Sequence, residues 1–193
     1  MPRTKRDTST QSALPLALEL LTSDHRKVDQ LFERFDEMKE QEDDSRVAIA
    51  QRVCSEITIH AQVEEDLFYP WLRENLDDSD LVAEAEVEHA TAKQLIAEIL
   101  PVGEPDEAYD AKVKVLGEYI RHHVREEENE IFPKVREEQD ELDELGQEMA
   151  SRKAELMEEM GISEESEEGE EGLAAAAQAQ QRKSRSSSTR TSR

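Results

Sequence analysis

Four stretches of this chain place apolar residues at alternating steps of three and four, and the same stretches place histidine and glutamate where that pattern calls for an apolar side chain. The first runs Leu14, Leu18, Leu21, His25, Val28, Phe32, Phe35, and the second Val53, Ile57, His60, Glu64, Leu67, Trp71. The third runs Val82, Ala85, His89, Ala92, Ile96, Ile99, and the fourth Val113, Leu116, Ile120, His123, Glu127, Ile131. Such spacing draws one apolar stripe along a helix. Four one-face helices can bury their stripes only against one another. The expected fold is therefore all-α, an up-down-up-down four-helix bundle, since short links between long helices favour antiparallel neighbours.

Asp44 or Ser45 is placed to cap the second helix, Asp77 to Asp80 the third, and Pro105 suits the first turn of the fourth. Pro70 and Pro133 fall inside or near the ends of the second and fourth helices and should kink or end them. The bundle is expected to span residues 14–160, with an extended last helix. Residues 1–13 read as a disordered, weakly basic arm, and 161–193 as an acidic and then basic low-complexity tail, with SEESEEGEEG too acidic to bury a core.

The chain also repeats itself. HAQVEEDLFYP, from His60 to Pro70, aligns with HVREEENEIFP, from His123 to Pro133, at a shift of 63 residues. His25 and Leu31 answer more faintly to His89 and Leu95 at a shift of 64. A duplicated helical hairpin predicts a site on a pseudo-twofold axis.

Four of the five histidines lie in the seams, one per helix, together with two carboxylates. A single core imidazole is readily satisfied by backbone, but four at one level are not. Two unpaired buried carboxylates would cost several kcal/mol, about as much as a whole domain's stability. No lysine or arginine stands in the seams to offset them. A pair of metal ions resolves the conflict. His60 with Glu64, and His123 with Glu127, are spaced i,i+4, which sets each pair on one helix face about 6 Å apart. Shared equally, the six residues give each metal two imidazoles and one carboxylate, the open-sided donor set favoured by non-haem Fe(II). Two divalent ions against two carboxylates leave a positive charge that a bridging oxo or hydroxo group can offset. No cysteine is among these ligands, which argues against structural zinc, while ligand type leaves Mn and Zn open.

The arrangement His25 … His60-x-x-x-Glu64 … His89 … His123-x-x-x-Glu127, with FYP and IFP after the paired motifs, resembles the hemerythrin-like HHE cation-binding family over Leu14 to Glu138. The resemblance implies an oxygen-bridged di-iron centre ligated by His25, His60, Glu64, His89, His123 and Glu127, with the glutamates as bridges. It implies a small oxidant as partner: O2, peroxide or NO. Oxygen-carrying members place a second histidine one turn after the first on the third helix, where this chain has Lys93. Their fourth-helix carboxylate follows its histidine by five residues, whereas here the seam favours Glu127 at four. These departures argue against reversible O2 carriage and for sensing, oxidant chemistry or iron handling. The alternative is a module that stores or senses iron without turnover.

Of the neighbours, His122 lies about 100° around the helix from His123 and reads as a flanking residue. Glu65 and Glu128 follow the ligand glutamates as solvated charges or as partners for imidazole N–H groups. Tyr119, one turn before His123, reads as packing, and Cys54 and Trp71 as core. The net charge is −24; the first twelve residues carry +2 and the last twelve +5, leaving −31 between them. Such a surface repels nucleic acid and anionic membrane. No apolar run is long enough to span a bilayer, the first residues lack the apolar block of a signal peptide, and the one cysteine cannot form an internal disulfide. A cytoplasmic location is expected.

Overall fold

The computed structural model describes residues 14–38, 43–76, 78–100 and 108–162, all of them helix or short connection. Helix α1 is Leu16–Glu37 and α2 is Asp43–Val63, continued through a π-helical turn (Glu64–Phe68) into α3 (Tyr69–Asn75). Helix α4 is Ser79–Ile99. Helix α5 (Tyr109–Glu126) continues through a second π-helical turn (Glu127–Ile131) into α6 (Phe132–Val135), and α7 is Gln139–Glu159. The expected bundle is present: α1 packs on α2 and α5, and α4 packs on α2 and α5, so each rod of the four touches two others. No helix among the described residues is long and apolar enough to cross a membrane.

The duplication seen in the sequence is repeated in the backbone. Pro70 and Pro133 have no N–H, and a proline ring presses on the carbonyl four residues back. Neither proline ends its helix. The chain widens the turn before each one: Tyr69 N–H bonds to Glu64 O and Phe132 N–H to Glu127 O, five residues back instead of four. Each widened turn begins at a seam glutamate, and such turns are common at functional sites.

The extra residue also rotates the buried face. Beyond Glu64 the expected core residues Leu67 and Trp71 are only half-buried, and Phe68, Tyr69 and Leu72 are fully buried in their place. A 3.6 period cannot be carried across a π turn, which is why the second seam fails there.

The extended last helix is also corrected. The fourth rod ends at Val135, where Glu138 N–H turns back to Val135 O at 3.0 Å. Helix α7 then starts afresh, Leu142 N–H bonding to Glu138 O. Reversal lets its apolar side bury Leu142, Leu145 and Met149. Asp143 accepts the Leu16 N–H at 2.8 Å, satisfying a donor at the open end of α1. Gly146 permits the close crossing: a Cβ there would stand 2.5 Å from Ala17 N and 2.6 Å from Leu16 C. Residues to Lys153 form one compact unit and those from Ala154 another. In the second, Gly161 at φ 67° closes the helix in the left-handed conformation, with Ile162 N–H on Met157 O.

Helix α2 begins at Asp43, ahead of the expected caps, and α4 begins just after Asp78. Pro105, the N-terminal arm and the low-complexity tail beyond residue 162 lie outside the described residues.

At one end of the bundle Val28, Phe32, Phe35, Val53, Ile57, Ala92, Ile96, Val113 and Leu116 make a continuous apolar cluster. On the other side of the seam histidines Leu18, Leu21, Phe68, Leu72, Val82 and Ile131 are buried. The polar level lies between these layers, with its side chains more than nine-tenths shielded from solvent.

Candidate metal centre

All six residues singled out from the seams are buried, and the fold brings all six together. His25 and His60 face each other across α1 and α2 with ring centroids 4.9 Å apart, and His89 and His123 do so across α4 and α5 at 4.7 Å. Each hairpin of the duplication thus supplies one imidazole pair. Two donor groups result: His25, His60, Glu64 and Glu127 in one, and Glu64, His89 and His123 in the other. Glu64 belongs to both. One of its oxygens lies 3.2 Å from His60 Nε2 and 3.3 Å from His89 Nε2, while a Glu127 oxygen lies 3.1 Å from His25 Nε2. The carboxylates are therefore not shared out equally, one to each imidazole pair.

The outer nitrogens explain why the inner ones point where they do. His25 Nδ1 bonds to Glu128 at 2.9 Å, His89 Nδ1 to Glu65 at 3.2 Å and His123 Nδ1 to Glu88 at 2.9 Å. Asp24 stands 3.6 Å from His60 Nδ1, an ion-pair distance. A carboxylate hydrogen-bonded to Nδ1 holds a proton there and fixes the ring, so that Nε2 faces inward. Sequence reasoning anticipated Glu65 and Glu128 but missed Asp24 and Glu88. Each of these immediately precedes a seam histidine, a position that periodicity assigns to the flank.

Two lysines complete this outer ring. Lys93 bonds to Glu65 at 2.5 Å, and Lys153 of α7 bonds to Asp24. Lys93 thus serves the carboxylate behind His89 instead of standing in as a donor to the centre.

Tyr69 was also missed. It is fully buried, and its hydroxyl lies 3.2 Å from His89 Nε2. The repeat offered a signal, since FYP in one half answers to IFP in the other. Phe132, the counterpart of Tyr69, stacks over His25 with centroids 6.2 Å apart. The two halves therefore differ in having a phenol beside one imidazole pair and a bare ring beside the other. Tyr119, the tyrosine noted from the sequence, is exposed, and so is the His122 side chain.

Burial and mutual charge act against each other at this level. Burial pushes the Glu64 carboxyl well above its ordinary range, and the charge of Glu127 pushes it further. Burial also works on Glu127, but His25 outweighs it and holds that carboxyl below its usual value. His25 resists burial in the same way: Glu127 and Glu128 raise it to about 9. Burial, with His123 beside it, drives His89 down to about 2.

The donors fit a metal on a further count. His25 Nε2, His60 Nε2 and both oxygens of Glu64 and of Glu127 have no hydrogen-bond partner, although all are buried. Buried polar atoms are nearly always satisfied, and six unsatisfied donor atoms at one level are what a divalent cation would satisfy.

Comparison with known proteins agrees. A crystal structure of a hemerythrin HHE cation-binding domain-containing protein from Mycobacterium kansasii superposes with a TM-score of 0.60 at 25% identity, covering 75% of this chain and 87% of that one. A DNA nickase from Nostoc sp. is 26% identical over 119 residues, 61% of this chain and 33% of the nickase, so the chain spans a third of that relative's length. The sequence description of the Hemerythrin HHE cation binding domain matches residues 16–135, which take in every residue of the centre. With four inward imidazoles, two unsatisfied glutamates and that match over most of the bundle, the chain belongs to the hemerythrin HHE cation-binding domain family.

Proposed function

We propose that this bundle holds two iron ions and uses them to bind, and to reduce or sense, a small oxidant such as O2, peroxide or NO. His25, His60 and Glu127 would hold one ion, His89 and His123 the other, with Glu64 between them. The observation that carries the reading is the convergence of four Nε2 atoms, three of them on rings hydrogen-bonded to a carboxylate at Nδ1 and the fourth with Asp24 at 3.6 Å, on two glutamates with no hydrogen-bond partner. Two imidazoles with carboxylate oxygens suit Fe(II) and leave coordination positions open. Bound there, iron would supply electrons to the oxidant and an open position at which to bind it.

The chain's own residues set the conditions. Apolar layers on both sides exclude bulk water, which strengthens every charge interaction at the centre. Tyr69 can donate its hydroxyl proton toward a ligand beside His89, whereas Phe132 leaves the His25 side without a donor. A small oxidant would therefore be held asymmetrically, toward the α4–α5 pair. The charge of −24 opposes a nucleic-acid phosphate backbone, so DNA is not taken as a substrate on the strength of the nickase relative.

Anaerobic loading with iron(II), elemental analysis and then titration with O2, peroxide and NO tests the reading. Two irons per chain and a spectral change on oxidant addition are expected, and turnover separates an enzyme from a storage or sensor module. One tightly held zinc with no iron uptake would sink it.

A further inference from the structure

Glu88, the carboxylate behind His123, also faces the other way. One oxygen bonds to His123 Nδ1 at 2.9 Å and the other lies 3.6 Å from His122 Nε2, which is itself 3.3 Å from a Glu126 oxygen. Glu88, His122 and Glu126 each offer a ligand atom within 4.8 Å of the others. Each of the three also immediately precedes a member of the buried centre, namely His89, His123 and Glu127. One residue along a helix is a 100° turn, so the outer three stand on the outward side of the wall whose inward side carries the centre.

The duplication shows that this outer set is particular to one half. Sixty-three residues before His122 and Glu126 stand Ile59 and Val63, both buried and apolar. Exposure alone would account for polar residues in the second half. It does not account for two carboxylates converging on one imidazole, which repel each other without a cation between them.

A small cavity, walled in part by Leu81, Ala85 and Ile131, touches members of both sets. It is lined by Glu84, Glu88 and Glu126 on the outside and by His123 and Glu127 within, and its free volume of 10 Å³ is room for about one water-sized particle. Glu127 ends it with a side chain that is buried and has neither oxygen hydrogen-bonded. Outside, Glu84, Glu88, Glu118 and His122 line a groove of 510 Å³ between α4 and α5.

We propose that Glu88, His122 and Glu126 form a surface capture site for a divalent transition-metal cation, which then passes through this cavity to Glu127 and the buried centre. One imidazole and two carboxylates suit Fe2+, Mn2+, Co2+ or Zn2+. Donors that range from mostly buried Glu88 to half-exposed His122 leave the ion partly hydrated and loosely held, as a site of passage requires. Glu88 touches both sets, and Glu126 hands on to its neighbour Glu127. The proposal rests on reading the buried His/Glu cluster as a metal centre.

The test uses the full chain stripped of metal, with Co2+ as the probe. Loading is followed by stopped-flow absorption of the ligated cobalt, and the ions held at equilibrium are counted by dialysis. In the His122→Ala/Glu126→Gln double variant, loading at limiting cobalt should slow at least tenfold. The final spectrum and the ions of the buried centre should be unchanged, while one weakly held extra ion of the parent is lost. Glu118→Gln, in the groove but outside the trio, should load at close to the parental rate. Parental loading in the double variant would overturn the route, and so would equal slowing by Glu118→Gln, which would mean a diffuse acidic field in place of a site. A parent that takes up no cobalt at the centre would fail the reading of the centre and the route with it, whereas normal parental loading that the double variant leaves untouched would fail the route alone.

Discussion

Replacing Glu64 with leucine should raise the melting temperature of the metal-free bundle and abolish its response to metal. Glu64 is fully buried, neither oxygen has a hydrogen-bond partner, and its carboxyl is pushed up by burial and by Glu127. A buried polar group without a partner costs about 1–3 kcal/mol, and apolar replacement of buried ionic groups is often stabilising by a similar amount. For a bundle of this size 1 kcal/mol moves Tm by roughly 3–5 °C, so metal-free Glu64→Leu should melt about 3–15 °C above the metal-free parent. Metal acts in the opposite sense. An ion that binds only the folded state, at about 100 times its Kd, adds about 2.7 kcal/mol, or roughly 8–13 °C here. Glu64 reaches both imidazole pairs, with His60 and His89 at 3.2 and 3.3 Å, so its loss should erase that shift. Calorimetric melting of both proteins, stripped and then loaded with iron(II) without oxygen, gives all four values. A parental metal shift in the variant would refute a shared Glu64, and a metal-free variant melting well below the parent would show its carboxylate already satisfied.

His123→Ala should lose half or all of the metal of the buried centre by elemental analysis, while His122→Ala, an exposed side chain, should keep the ions of that centre; the reverse result would mean that α5 is rotated by about one residue. Metal affinity should weaken as pH falls from 9 to 6, by about tenfold per unit for each proton displaced, because His25, raised to about 9, holds a proton at neutral pH that Nε2 must release before it can ligate. The same shift runs the other way for the metal-free fold: the stability His25 contributes is fully present below the ordinary imidazole value of 6.5 and is lost as pH rises through about 9. Titration calorimetry in buffers of different ionisation enthalpy counts the protons, and a pH-independent affinity would refute the assignment. Gly146→Val should destabilise the fold by about 1–3 kcal/mol, since the new Cβ would meet the backbone of Leu16 and Ala17 at 2.5–2.6 Å; an unchanged urea midpoint would mean that α7 does not bear on α1 there.

The sequence by itself determined the bundle and the identity of its polar level. A 3.6 period needs only local geometry to be read, and histidine or glutamate in an apolar stripe contradicts that period wherever the helix lies. His25, His60, Glu64, His89, His123 and Glu127 were legible for that reason. Tertiary structure decided what depends on distance between elements. It made Glu64 common to both imidazole pairs, set Tyr69 beside His89, and placed Asp24 and Glu88 behind the rings although each lies on a flank of its own helix. It also decided the register beyond each glutamate. Pro70 and Pro133 announced a disturbance, but whether a helix breaks, bends or widens depends on what its next turn can bury. Here Phe68, Tyr69 and Leu72 find the core only if the turn takes up one more residue, and that choice belongs to the packing of the whole bundle.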